Sequence, residues 1–169
     1  MDRNDNEESS KYLHVEVITI SDSKKAAMGE GRDEDKSGKI IQKKLEDAEI
    51  SSNRVIISDD KAEISKELDK KIYNSEANAV ITTGGTGIAS RDKTVDVVSE
   101  FLDKRISGFG ELLRWRSSEE VGGAAVLTRA TAGIANQKLV FCLPGSPNSV
   151  KTGMDLIAYD LPEILKDIQ

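Results

Sequence analysis

A chain of 169 residues and 18.4 kDa suits a single domain, large enough to bury roughly 70% of the surface its unfolded form exposes. Hydrophobic residues at 37% and charged residues at 32% are the balance of a soluble globular protein, and a net charge of -6 argues against a nucleic-acid-binding module, whose phosphate contacts need a basic face. One cysteine, Cys142, permits no internal disulfide. With one histidine, His14, it also excludes the usual Cys/His zinc site, so any metal must be a hard cation held by carboxylates and ligand phosphates.

Residues 1–12 are polar and charged and read as a disordered tail before a domain spanning 13–169. The N-terminus lacks the apolar core of a signal peptide and no apolar run reaches the length of a membrane span, so a cytoplasmic location with no membrane partner is expected. "HVEVITIS" is β-branched and reads as the first strand, ending near Asp22. "KKAAMGEGRDED" reads as an exposed charged loop. In "KSGKIIQKKLEDAEI", Ile40, Ile41, Leu45 and Ala48 fall on one helical face, with Ser37 as the expected N-cap. "NRVIIS" is a second short strand. Asp60 and Glu63 have the spacing of a capped helix start, and Ile64, Leu68 and Ile72 line the buried side of that helix.

"ANAVITT" is the third strand, ending in the glycine stretch "GGTG". Helices are expected over 95–102 and 110–120, then a hairpin around Asn136 and Gln137 leading into a buried strand over 139–143. Ser146-Pro147 looks like the N-cap and first residue of a helix striped by Val150, Met154, Ile157 and Leu161, with Pro162 between that helix and a short terminal turn. The alternation predicts a three-layer α/β/α domain, an open and mostly parallel sheet with helices on both faces.

In such sheets ligands bind beyond the carboxyl ends of the strands. Four unusual segments fall there: Asp22, Asp59-Asp60, the glycine loop and "PGSPNS". The loop is neither a P-loop, lacking Gly-Lys-Ser/Thr, nor a dinucleotide fingerprint, since Ser90 stands where the third glycine belongs. Its physics still suits an anion. Gly84, Gly85 and Gly87 bare the backbone N–H groups, Thr82, Thr83 and Thr86 add hydroxyls, and Arg91 and Lys93 add charge. Asp92 is a candidate Mg²⁺ ligand. The competing reading is an ordinary strand-to-helix turn with Asp92 or Thr94 as a helix cap, and one of Asp59 and Asp60 is expected to cap the helix that follows it. Cys142, within an apolar strand, reads as a buried structural thiol.

"TTGGTG" followed by "RDKT", then "SGFGE", "LTRATAG" and "LPGSPNSV", in this order and spacing, resembles the MoaB/MogA molybdenum-cofactor biosynthesis family over nearly the whole chain. The resemblance implies a molybdopterin-binding fold and a homo-oligomer, a trimer or a hexamer of two trimers. It implies Mg²⁺-dependent adenylylation of molybdopterin by ATP, with pyrophosphate released. By position in the motifs it assigns Asp92 and Asp59 to catalysis and to the metal. Asp22, Thr83, Gly84, Gly85, Thr86, Gly87, Arg91, Glu111, Pro144, Gly145 and Ser146 go to the ligand pocket. "DKSG", residues 35–38, matches a short family element before the first helix. The alternative is a pterin-binding or scaffold protein of the same pathway that has lost the reaction. Leu112, Leu113 and Trp115 cannot share one narrow stripe, so some apolar area there is expected to face a neighbouring subunit.

Overall fold

The computed structural model describes residues 13–168. The expected tail, residues 1–12, lies outside them. Six strands, β1 (His14–Ile20), β2 (Ser51–Ile57), β3 (Ala79–Thr83), β4 (Lys104–Arg105), β5 (Thr131–Ala135) and β6 (Lys138–Leu143), form one sheet in the order β2-β1-β3-β6-β5-β4. The pairs β2-β1, β1-β3 and β3-β6 are parallel, and the edge formed by β5 and β4 is antiparallel. The described helices are α1 (Asp22–Gly29), α2 (Lys36–Asp47), α3 (Lys61–Tyr73), α4 (Thr94–Phe101), α5 (Ser107–Val121), α6 (Pro147–Ile157) and α7 (Leu161–Lys166), with a 3-10 turn at Gly122–Leu127. The three-layer α/β/α reading therefore holds. Among the described residues no helix is long and apolar enough to cross a membrane.

The period-2 pleat of the strands sorts the core onto two faces. Val15 and Val17 of β1 pack with Ile41 and Leu45 of α2, Leu113 of α5, and Val150 and Met154 of α6. Ile18 and Ile20 pack on the other side with Ile64, Leu68 and Ile72 of α3 and with Val97 and Val98 of α4. Each such side chain, essentially inaccessible here, contributes about 1.5–3 kcal/mol by burial. The Asn136-Gln137 turn joins β5 to β6 with both residues at positive φ, 48° and 60°, the backbone that a two-residue hairpin needs to match strand twist.

Four expectations need correction. The stretch read as a loop after β1 contains α1, which Ser21 caps by accepting from the Lys24 N–H. Only Ala27 of α1 is buried, so no apolar stripe announced the helix. The N-cap of α2 is Asp35, whose carboxylate accepts from the Gly38 N–H at 3.0 Å; Ser37 lies inside the first turn. Helix α5 starts at Ser107, ahead of the expected 110, directly after the two-residue strand β4, which is too short to carry a pattern. Leu161 and Pro162 open α7 instead of ending α6, and Pro suits a first helical turn because its missing N–H would have had no partner there.

Candidate active site

The four segments singled out at the strand ends do meet, and hydrogen bonds join them in two pairs, Asp22 with the Asp59 loop and the glycine loop with the 144–146 turn. Asp22 opens α1, and its Oδ1 accepts the N–H of Asp59 at 2.9 Å, which hangs the loop after β2 on the end of β1. Asp60 caps α3, accepting from the Glu63 N–H at 2.9 Å. Of the adjacent pair it is therefore Asp60 that serves the helix, and the Asp59 carboxyl is free of that duty. Asp59 titrates above its ordinary value: burial pushes it up first, the neighbouring Asp22 charge adds to this, and Asp92 contributes further. A backbone hydrogen bond of Asp22 and the charge of Arg91 offset part of the rise.

The glycine loop is held from three sides. Thr83 Oγ1 donates to the Pro144 carbonyl at 2.8 Å, and the Gly84 N–H donates to the Leu143 carbonyl at 3.1 Å, joining the ends of β3 and β6. Ser37 Oγ donates to the Gly145 carbonyl at 2.8 Å, which adds the start of α2 to the same cluster. Gly84 sits at φ 102°, and a Cβ there would lie 2.4 Å from the Ile20 carbonyl oxygen. Gly85 sits at φ 67°, and a Cβ there would lie 2.2 Å from Thr94 Oγ1. Both positions demand glycine for conformation and for space.

Arg129 grips the loop from behind. Its N–H donates to the Thr86 carbonyl at 2.7 Å and its Nε to the Gly87 carbonyl at 3.0 Å. Its Nη2 reaches the Asp92 carbonyl at 2.8 Å, and the guanidinium also pairs with the Asp96 carboxylate at 2.7 and 3.0 Å. Thr86 Oγ1 bonds Thr128 Oγ1 at 3.0 Å. Asp92 Oδ2 accepts the Ala89 N–H at 2.9 Å, closing the turn ahead of α4; a Cβ on Gly87 would meet that oxygen at 2.6 Å. Asp92 thus closes a turn, while its charge is felt at Asp59.

Beneath the rim lies a charged knot absent from the sequence reading. Asp35 is fully buried and accepts from Thr19 Oγ1 at 2.6 Å, the Gly38 N–H at 3.0 Å and Arg54 Nη1 at 2.7 Å, with Lys24 Nζ at 3.6 Å. Burial alone would raise its titration, but these hydrogen bonds and the Lys24 charge hold it below the ordinary value.

Glu111 is exposed and does not join the glycine loop. It lines a groove of about 370 Å³ with Arg105, Arg114, Ser99, Asp96 and Arg129, and Arg129, which also holds the glycine loop, borders both places. Ser146 caps α6, accepting from the Ser149 N–H at 3.3 Å, and lines a smaller hollow of about 250 Å³ against the end of α5. A depression of about 430 Å³ at the amino end of β2 is lined by Lys39, Gln42 and Ser51 and lies away from all these segments. Arg129 lies within the LTRATAG motif, but only three-dimensional proximity reveals that it binds a loop distant in sequence.

Mg²⁺ takes one or two protein carboxylates and completes its shell with waters and substrate phosphates. Among the described residues no group of three or more His, Cys, Asp or Glu is placed as a cage. Asp59, its titration raised by burial first and then by the charges of Asp22 and Asp92, stands where a cation shared with phosphates would relieve it.

Comparison with known proteins agrees with the fold. The family described as "Probable molybdopterin binding domain" matches residues 16–165. A Pyrococcus furiosus protein named molybdopterin adenylyltransferase is 46% identical over 163 residues, covering 94% of this chain and 93% of that one. Molybdenum cofactor biosynthesis protein B of Staphylococcus aureus (strain COL) is 37% identical over 173 residues, covering 99% of each. Among solved structures, the tungsten cofactor synthesizing protein MoaB from Pyrococcus furiosus superposes with a TM-score of 0.81 at 43% identity, covering 94% of this chain and 98% of that one.

Proposed function

The chain belongs to the MoaB/MogA molybdenum-cofactor biosynthesis family, and on that premise we propose that it is a molybdopterin adenylyltransferase, using Mg-ATP to form adenylyl-molybdopterin and pyrophosphate. The observation that carries the reading is the meeting, at one sheet edge, of two hydrogen-bonded pairs, Asp22 with the Asp59 loop and the glycine loop with the 144–146 turn.

The reaction asks little of proton transfer. A terminal phosphate oxygen of molybdopterin, already ionised, attacks the α-phosphorus of ATP; the bond from that phosphorus to the bridging oxygen breaks, and pyrophosphate leaves with the electron pair. No general base is required, so a chain with one histidine loses nothing. Rate enhancement would come from positioning and from fixed donors aimed at phosphate oxygens. The N–H groups of Gly85, Thr86 and Gly87 would supply those donors, and Arg129 holds the Thr86 and Gly87 carbonyls in place behind them. Bound Mg²⁺, held by Asp59 and Asp92, would neutralise phosphate charge. Thr83, Thr86, Arg91, Pro144, Gly145 and Ser146 would shape the rim, and Glu111 would reach only the ligand portion that extends past Arg129 into the neighbouring groove.

Purified protein incubated with molybdopterin, ATP and Mg²⁺ should yield adenylylated pterin and pyrophosphate, and Asp92→Asn should nearly abolish both. Pterin binding without turnover would favour the scaffold reading. The proposed assembly is a trimer or a hexamer: Trp115 of α5 is 63% exposed and Leu112 44%, and Val126 and Leu127 of the following 3-10 turn are exposed as well. Light scattering should give a mass that is a multiple of three chains, and Trp115→Glu should lower it. A monomer at micromolar concentration would sink the assembly and leave the chemistry standing.

A further inference from the structure

Among the described residues, one buried side-chain oxygen lacks a hydrogen-bond partner: Thr94 Oγ1. Thr94 is fully buried at the first position of α4. Its backbone N–H donates to the Gly85 carbonyl at 3.2 Å, so its main chain is committed while its hydroxyl is not. A buried hydroxyl with no partner works against folding, and valine would fill the same volume without that penalty. Unpartnered buried groups of this kind call for a reason outside the packing.

The hydroxyl lies directly under the glycine turn, where a Cβ on Gly85 would come within 2.2 Å of it. With no side chain at residue 85, backbone alone separates Oγ1 from the strand-end cluster, and residue 85 is only partly buried. Gly84 and Gly85 both hold positive φ, a backbone that glycine leaves and re-enters cheaply. The helix end is also open: Lys93 at the N-cap position gives no side-chain acceptor. The first-turn carboxylate, Asp96, is taken up by Arg129. An uncapped helix start favours an anion.

We propose that the Thr94 hydroxyl is a phosphate-binding donor: when a nucleoside triphosphate enters, the Gly84-Gly85 turn shifts and Thr94 Oγ1 donates to a phosphate oxygen at the start of α4. This rests on the adenylyltransferase reading and adds to it a residue that the motif comparison leaves without a role. The orphaned hydroxyl of the free protein is then the counterpart of a bond made only with ligand.

Calorimetric titration with Mg-ATP and with pyrophosphate, on the wild type, Thr94→Val and Thr94→Ser, tests the idea together with thermal unfolding in the absence of ligand. Thr94→Val should melt higher than the wild type without ligand and yet bind Mg-ATP about tenfold more weakly, the loss of one hydrogen bond to a charged group. Thr94→Ser should keep wild-type affinity. Equal affinity of Thr94→Val and the wild type overturns the proposal while leaving the adenylyltransferase reading intact, as does a Thr94→Val that melts lower without ligand. A wild type that binds neither Mg-ATP nor pyrophosphate overturns both.

Discussion

Two polar clusters sit within a few residues of each other at the carboxyl edge of the sheet, and they differ in how fully their groups are paired. Around Asp35 a buried carboxylate has three hydrogen-bond donors and a lysine close by, and the second face of Arg54 is taken by Asp33 at 2.6 Å and Gln42 at 3.0 Å. Around the glycine loop, Asp59 is pushed toward its neutral form first by burial and then by the charges of Asp22 and Asp92, and Thr94 has a hydroxyl with no partner. The first cluster is complete without anything else and behaves as scaffold. The second holds a carboxylate raised in its titration and a hydroxyl without an acceptor, both of which a phosphate ligand with its cation would satisfy. Polar groups left short in an otherwise satisfied fold mark where the missing partner belongs.

The sharpest way to break this contrast is to unpair the scaffold cluster. Arg54→Ala removes the guanidinium from a carboxylate with no solvent exposure, and stranding such a charge costs about 3–5 kcal/mol. Urea unfolding at pH 7 should show a loss of that size. The sign with pH follows from Asp35 titrating below its ordinary value of 3.8 in the fold. Its contribution is present above the unfolded value and disappears as pH falls through the lower folded one. The gap between variant and wild type should be full at pH 7 and narrow as pH falls, because a protonated Asp35 no longer needs the guanidinium. A loss under about 1 kcal/mol would place Asp35 among the dispensable surface pairs.

A smaller effect on stability, with a larger one on binding, is expected at Gly85→Val. The residue must hold φ 67° and its Cβ would overlap Thr94 Oγ1, so the turn must deform at about 1–3 kcal/mol. Titration with Mg-ATP should show affinity lost beyond what the weaker fold explains. Gly29→Ala, where a Cβ meets nothing within 4 Å, is the matched control and should change neither. Unchanged ligand binding in Gly85→Val would return the loop to the role of a plain turn.

The two clusters were not equally legible in the sequence. Strand ends and glycines are local features, so periodicity and the parallel-sheet rule placed the four segments on one edge, and the Asp60–Glu63 spacing announced a cap that forms. The Asp35 knot joins residues 19, 35 and 54 across two strands and a helix, and no spacing rule links them. The helical pattern pointed to Ser37 as the cap of α2; Asp35 takes the role, its carboxylate also pairing with Arg54, and Ser37 turns to Gly145. Glu111 shows the reverse failure: its motif neighbours the loop in pattern, but α5 carries it into another groove. Orphaned groups such as Thr94 are invisible in sequence by nature, since a missing partner is a fact about three dimensions.

The smallest expected effect has the most diagnostic sign. In the folded chain Asp59 titrates above its ordinary value of 3.8, so the native state holds that proton more tightly than the unfolded state. Stability from this group is therefore greatest at low pH and falls as pH rises through the raised folded value, after which the penalty stays constant. Asp59→Asn removes the charge with little change of shape. It should match the wild type near pH 3.5 and become the more stable protein by pH 7, as measured by urea unfolding at both. Adenylyl transfer should collapse in the same variant, because the carboxylate that strains the free fold is the one assigned to the cation. Were Asp59→Asn less stable than the wild type at pH 7, its carboxylate would already have favourable partners in the native state. Asp59 would then belong with Asp35 in the satisfied class, and the contrast between the two clusters would fail at its most exposed point.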